Sequence, residues 1–433
     1  MSKLEAFAKQ NNIKYFLFNF TDLRGMQRSK LVPAAAAGKM EESGAGFAGF
    51  ATHLDLTPAH PDMFAIPDPE TVVQLPWQRD VAWVAGDLWM DDKPLEQGPR
   101  YVLKRMIEEL QAEGYRPMSG VEPEFHLIDA DGTDISDPYD TASKPCYDQS
   151  AVMRRYDVIS EICDAMTELG WKPYQNDHED SNGQFEMNWD FGDCLETADR
   201  HVFFKFIVRS IAEKHGLRAT FMPKPFTQLT GNGCHVHLSL WDHHGEVNHF
   251  DDTEHELGLS QKAHHFLGGV LEHAPAMAAI TNPTVNSYKR INAPVTASGS
   301  TWAPNSVTWG ANNRTHMVRI PDPGRFEFRQ ADGAANPYLL QAAHLAAGLA
   351  GMRSESDPGK RLDIDMYKEG DQVECGKLPL YLIDAIRAFR DDAPLRKVLG
   401  ESFSESYIKL KQQEWDDYTH HLTEWERLHT LDC

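Results

Sequence analysis

The sequence is poor in the features that would tie it to a membrane, to nucleic acid or to an oxidising compartment. No uninterrupted apolar stretch approaches the ~20 residues needed to cross a bilayer. The opening Met1-Ser2-Lys3-Leu4-Glu5 mixes charges and lacks the apolar run of a secretory leader. Positive charge is scarce: 42 Lys and Arg face 65 Asp and Glu, a formal charge of -23. The clustered cations that a phosphate backbone requires are missing, which argues against a nucleic-acid partner. Six cysteines, at positions 146, 163, 194, 234, 375 and 433, include no Cys-x-x-Cys pair, so neither a disulfide framework nor a zinc knuckle is indicated. The expectation is a soluble cytoplasmic protein with reduced thiols and no membrane partner.

What is present suits a large globular chain. Its 433 residues exceed one small core, so at least two domains are expected, one of them large. Residues 13–20 read as a buried strand, 22–25 as a turn and 27–32 as the partner strand, with a short helix over 34–42 and strands near Val72 and over 81–85. This describes a small strand-rich N-terminal domain, with the break between Lys93 and Pro99. The division expected is 1–97 and 98–433. Beyond it, Val102, Leu103, Met106, Ile107 and Leu110 share a helical face that stops at Gly114. Further helices are expected over 152–169, 195–215, 260–280, 336–352 and from about 380 onward.

The chemistry lies on the strands between these helices. In Gly120-Val121-Glu122-Pro123-Glu124-Phe125, alternation turns Glu122 and Glu124 to one face and Val121 and Phe125 to the other. Taken alone, two glutamates on a solvated face are the simpler reading. Four later segments repeat the pattern. Asp177 and Glu179 share a face, and Glu186 opposes Phe185 and Met187. His235, His237 and Ser239 oppose Val236, Leu238 and Leu240, and Arg325, Glu327 and Arg329 oppose Phe326 and Phe328. A His-x-His pair or an Arg-x-Glu-x-Arg ladder is individually compatible with a structural role. So many ionisable groups on one sheet face, however, require cations and anionic ligands to neutralise them. Carboxylates with one imidazole and no thiolate suit Mg²⁺ or Mn²⁺, and arginines suit phosphate or carboxylate groups. Residues 282–311, rich in Pro, Gly, Ser and Asn, read as a functional loop or lid.

These segments resemble the glutamine synthetase family in order and along nearly the whole chain. The resemblance rests on Gly120-x-Glu122-x-Glu124-Phe125, His178-Glu179 with Gly183-Gln184-x-Glu186, and Ala219 through Pro225. It continues through Gly233-x-His235-x-His237-x-Ser239, Asn282 through Arg290, Asn313-Arg314, Arg325-x-Glu327-x-Arg329, Asn336-Pro337-Tyr338 and Trp425-Glu426-Arg427. It implies an α+β chain: a β-grasp N-terminal domain and a large catalytic domain built on a curved antiparallel sheet with helices. It also implies a homo-oligomer, a dodecamer of two hexameric rings with sites between subunits. Carried over by motif, Glu124, Glu179 and Glu186 would bind a first metal ion and Glu122, His235 and Glu327 a second, with two to three Mg²⁺ or Mn²⁺ per site. Arg290 and Arg329 would hold L-glutamate, with Gly231 and His235 nearby. Arg314, Arg319 and Arg325 would face the phosphates of ATP, with His237 and Ser239 on the nucleotide side. The implied reaction phosphorylates the γ-carboxylate and lets an amine displace phosphate, with Arg314 and Glu327 among the catalytic groups.

The family pattern departs at the amine. Ala48 stands where the family has an Asp, and no acidic residue lies between Arg290 and Arg314. An ammonium pocket needs several acceptors, whereas an alkylamine offers fewer donors and a methyl group. Phe50, Trp302 and Trp309 are expected to form an apolar wall, and the stretch from Arg290 to Arg314 is similar to the γ-glutamylmethylamide synthetase branch. Methylamine is therefore the expected amine, and Asp177 the expected base. The alternatives are a glutamine synthetase using ammonium, a synthetase of γ-glutamyl polyamines or ethanolamide, a silent regulatory relative, and a phosphagen-type kinase.

Overall fold

A computed structural model describes residues 1–294, 296 and 301–433. Two sheets organise it. The first has seven strands, five of them in the order Gln27–Pro33, Tyr15–Thr21, Gln78–Met90, Met63–Pro67 and Ala45–Phe47, with Val73–Leu75 and Lys93–Pro94 paired to the long Gln78–Met90 strand. Tyr15–Thr21 runs parallel to Gln78–Met90 and antiparallel to Gln27–Pro33. Phe16, Phe18, Ala82 and Val84 form a core with Leu4 and Ala8 of the helix Lys3–Asn11. That helix was not expected from the sequence. The side chain of Ser2 accepts from the Glu5 amide and the Glu5 carboxylate accepts from the Ser2 amide, a reciprocal cap of its N-terminus.

The second sheet is built around the strand Arg116–Ile128. Residues 116–123 pair antiparallel with Cys234–Trp241, and residues 124–126 pair with Gln184–Trp189. Phe326–Phe328 and Val318–Arg319 extend the sheet on one side and Pro173–His178 on the other. Val121, Phe125, Phe185, Met187, Val236, Leu238, Phe326 and Phe328 are all buried. The apolar faces of these strands thus join a single core with the helices behind them. Two of those helices, Gln261–Thr281 and Pro337–Ser354, meet at Gly269 and Gly351, where an added Cβ on Gly269 would stand 2.6 Å from the Gly351 Cα. The alanine- and glycine-rich composition permits this close approach.

The sheets are joined by buried polar contacts. Arg100 bonds Asp68 and Asp87 at 2.8 Å and Asp199 at 3.0 Å, and Asn336 Nδ2 donates to the Asp22 carbonyl at 2.9 Å.

Two expectations change in detail. The helix over 152–169 is two helices, Gln149–Arg154 and Tyr156–Glu168, because Arg155 leaves helical geometry. The loop over 282–311 contains the short helix Ser287–Ile291, and Ser306–Val307 pairs with Gly376–Lys377, a strand beyond Arg329. Residues 295 and 297–300 of that loop, including Ser300, lie outside the described residues. All six cysteines are free. Among the described residues no helix is long and apolar enough to cross a membrane.

Candidate active site

Strand register brings the polar faces together. His235 lies opposite Glu122, Glu186 opposite Glu124, and Asp177 opposite Glu186 on the next strand. Glu327 lies between His237 and Arg319. Opposed side chains on one sheet face are neighbours, so these strands concentrate five carboxylates and two imidazoles. Glu179 adds a sixth carboxylate from just beyond the strand Pro173–His178.

The result is a cavity of about 410 Å³ lined by Glu122, Glu124, Asp177, Glu179, Glu186, His235 and Glu327, with Arg314, Arg319, Arg329, Cys146, Tyr147, Gln175 and Trp302. Beside it, and sharing Glu122, a cavity of about 290 Å³ is lined by His237, Ser239, Arg325, Tyr174, Phe191 and Trp241. The two halves differ in chemistry, the first dominated by charge and the second by aromatic rings with one arginine. Arg325 donates to His237 Nδ1 at 2.9 Å and also pairs with Asp322.

The carboxylates are held in different states. Burial, then Glu122, Glu179 and Glu124, push Glu186 well above the usual carboxylate range. Burial, Glu124 and Asp177 raise Glu179 to about 8, and burial, Glu122 and Glu124 raise Asp177 to about 6. Burial acts the same way on Glu122, but hydrogen bonds from His235 and His237 outweigh it and hold Glu122 well below its ordinary value. Glu327 is likewise brought to about 2, because Arg329, His235 and His237 overcome its burial. Arg329 and Arg319 both donate to Glu327, the latter at 2.6 Å.

Among the described residues two groups have the composition and spacing to hold a divalent cation: Glu122, His235 and Glu327, and Glu124, Glu186 and His235. Their ligand atoms lie within 4.8 Å of one another in each group. His235 Nε2 is buried without a hydrogen-bond partner, 3.9 Å from Glu124 Oε1. Such an orphaned imidazole nitrogen among mutually repelling carboxylates fits a hard cation. Glu179 lines the cavity but stands outside both groups. One of its oxygens accepts the Asp180 amide at 3.0 Å. His235, by contrast, belongs to both.

Supporting polar groups fix these ligands. Gln184 Nε2 and the Gly233 amide donate to Glu124 Oε2 at 2.8 and 2.6 Å, and Asn188 Nδ2 donates to Glu186 Oε1 at 3.0 Å. A Cβ at Gly233 would stand 2.7 Å from Arg290 Nη2 and 2.9 Å from Glu124 Oε1, so a side chain there would displace both of these groups. Arg290, on the helix Ser287–Ile291, is buried and donates to the Gln330 carbonyl at 3.2 Å. Gly231 accepts from Gln184 at 3.1 Å. Arg290 and Gly231 therefore lie directly behind the cavity wall, and Arg329, whose Nε is buried without a partner, lines it.

The expected apolar wall is corrected in part. Trp302 lines the cavity. Trp309 is buried elsewhere, its Nε1 donating to the Gly359 carbonyl at 3.2 Å and its ring packed edge-on against His264. Its burial follows from the short pairing of Trp309–Gly310 with Val318–Arg319. Phe50, in the short helical turn Gly49–Ala51, is 53% exposed, and neither it nor Ala48 lines the cavity of its own chain.

Sequence reasoning missed Cys146 and Tyr147. Tyr147 has φ +64, and its amide donates to the His178 carbonyl at 2.8 Å. A bulky residue in this left-handed region carries no sequence signal, and it marks a site where surrounding structure overrides local preference. The buried pair of Asp140 and His178, 2.7 Å apart, was also missed. Asp140 further accepts from Asn182 and the Gly183 amide at 2.8 and 2.6 Å, fixing the turn between Glu179 and Gln184.

Comparison with known proteins gives this geometry a relationship. The family description "Glutamine synthetase, catalytic domain" matches residues 96–429. A glutamine synthetase of Rhizobium meliloti (strain 1021) is 65% identical over 430 residues, covering 99% of both chains. A glutamate–methylamine ligase of Methyloversatilis universalis is 40% identical over 435 residues, covering 98% of both. A solved structure described as a GmaS/ADP complex, conformation 1, superimposes with a TM-score of 0.97 at 58% identity, over 100% of both chains. With this match along its length, the chain belongs to the glutamine synthetase family of ligases.

Proposed function

We propose that the chain joins the γ-carboxylate of L-glutamate to methylamine at the expense of ATP, forming γ-glutamylmethylamide, ADP and phosphate. The observation that carries the reading is an aromatic side chain in the charged cavity: Trp302 lines it together with Asp177 and Glu179, and in the sequence Ala48 and an acid-free stretch from Arg290 to Arg314 stand where the family has acidic groups. A methyl group prefers such an aromatic surface to water. The relatives described as a glutamate–methylamine ligase and as GmaS favour the same reading.

In this reading Glu124, Glu179, Glu186, Glu122, His235 and Glu327 hold two to three Mg²⁺ or Mn²⁺ ions. Bound there, such ions supply Lewis-acid neutralisation of the charge on the transferred phosphoryl group. Arg329 and Arg290 bind the carboxylates of glutamate and orient its γ-oxygen. His237, Ser239 and Arg325 bind ATP in the aromatic half of the site, and Arg314 and Arg319 stabilise the phosphoryl group as it moves. Asp177, on the cavity wall, accepts a proton from the amine as its nitrogen attacks the γ-glutamyl phosphate. Trp302 and Tyr147 restrict water there, limiting hydrolysis of that intermediate.

The same reading takes residues 1–97 as the β-grasp domain and 98–433 as the catalytic domain. It places the chain in the cytoplasm, in a dodecamer of two hexameric rings whose sites lie between subunits. The exposed Phe50 and Ala48 are then available to cover a neighbour's cavity. A second reading, glutamine synthesis from ammonium, is favoured by the names of two rhizobial relatives at 65% and 66% identity. Mass spectrometry of product formed from a mixture of both amines at equal free-base concentration separates the two. Predominant γ-glutamylmethylamide supports the proposal, and predominant glutamine refutes it.

A further inference from the structure

A separate cavity of about 760 Å³ lies in the seam between the two sheets, bounded by Leu17 through Ser29 on one side and by residues of the helix Cys194–Lys214 and the strand Arg218–Thr220 on the other. Arg24, Lys205, Arg209 and Arg218 line it, and Glu213 is its one acidic residue among the described lining. In a chain of formal charge -23, four cations against one carboxylate reverse the sign of the surroundings.

Among the described residues none of these four cations has a carboxylate oxygen within 4.0 Å. Arg24 Nε is buried with no hydrogen-bond partner. Lys205 is buried and donates only to backbone carbonyls, those of Gly333 and Ala335, at 2.8 and 3.1 Å. Arg209 lies over the Phe221 ring, 5.3 Å from its centroid. Burial lowers Lys205 to about 8 and also lowers Arg209, because the nearby Asp332 and Glu213 only partly offset it.

We propose that this cavity binds a small metabolite bearing carboxylate or phosphate groups, and that its occupation alters glutamate binding. The route is short. Lys205 holds the Gly333 carbonyl, the Gly333 amide donates to the Asn232 carbonyl at 3.2 Å, and the next residue, Gly233, donates to Glu124 at 2.6 Å. An anion drawing Lys205 away from its two carbonyls loosens the loop that carries Gly231 and Gly233. This coupling rests on the reading of that loop as part of the glutamate site. The binding itself does not.

Calorimetric titration of the metal-free full-length protein with inorganic phosphate, and separately with succinate, tests the site and distinguishes the two anion types. At least one probe binds saturably to the wild type and to Arg329→Gln, and about tenfold more weakly to the double variant Arg24→Gln/Arg209→Gln. Arg218→Gln, at an exposed side chain, guards against misfolding and also weakens binding. In the ligase assay the bound probe raises the glutamate KM about fivefold more in the wild type than in the double variant, where only competition at the active site remains. Unchanged binding in the double variant, or loss of binding in Arg329→Gln alone, overturns the site. Failure of both probes, with a changed assembly mass in the double variant, assigns the cations to a neighbouring subunit's acidic group instead. Saturable binding with no change in KM overturns the coupling.

Discussion

Glu122 and His235 face each other across an antiparallel register, with Oε2 and Nδ1 3.2 Å apart, so that the Nε2 of His235 points away from Glu122 and toward Glu124. One imidazole thereby belongs to both cation-holding groups. Replacing it by alanine removes a ligand from each while leaving the apolar side of the strand intact. We expect His235→Ala to weaken Mg²⁺ activation by about 100-fold with little change in the far-ultraviolet circular dichroism. Mg²⁺ titration of activity alongside the spectrum checks both.

Arg329 is buried between Glu327 and the cavity, with its Nε unpaired. A lysine there keeps the charge but loses the planar fork that can serve Glu327 and a carboxylate together. Arg329→Lys is expected to raise the glutamate KM by about tenfold or more and to leave the ATP KM nearly unchanged. Initial rates with each substrate varied in turn measure this.

Glu179 at about 8 and Asp177 at about 6 both stand above their ordinary values of 4.5 and 3.8. The folded metal-free protein therefore binds more protons than the unfolded chain across this interval. The associated stability is complete below the unfolded values and is lost as pH rises through about 6 and then about 8. Thermal melts of metal-free protein should show Tm falling by a few degrees between these two values, and saturating Mg²⁺ should flatten the dependence. A metal-free Tm that rises over the same window contradicts the assignment.

Trp302 lines the carboxylate-rich cavity, and in the proposed reading its ring faces the methyl group of the amine. Contact with one methyl group is worth about 1–3 kcal/mol in discrimination. Trp302→Ala is expected to lower the methylamine-to-ammonium ratio of kcat/KM by about tenfold, mostly through methylamine. Equal losses for both amines would assign Trp302 a structural role.

Much of the catalytic sheet was legible because its strands alternate strictly. Val121, Phe125, Phe185, Met187, Val236, Leu238, Phe326 and Phe328 are buried, and this fixes the direction of every ionisable neighbour. The N-terminal helix Lys3–Asn11 was missed although Ser2 and Glu5 carry the spacing of a reciprocal cap, since its apolar face is only Leu4, Phe7 and Ala8. Trp309 could not be distinguished from Trp302 by sequence, because which tryptophan turns inward depends on a two-residue strand pairing. Tyr147 and the pair of Asp140 and His178 depend on contacts between segments 33 and 38 residues apart or on a left-handed backbone. No local pattern announces either. The grouping of His235 with Glu124 and Glu186 likewise emerges only when three strands are in register.

The central claim is the identity of the amine. The most direct test is steady-state phosphate release from ATP with Mg²⁺ and glutamate, comparing methylamine, ammonium, ethylamine and putrescine at equal free-amine concentrations. The account predicts the highest kcat/KM for methylamine, with ammonium about tenfold or more behind. A higher kcat/KM for ammonium would contradict it and identify a glutamine synthetase whose ammonium site is built from other residues.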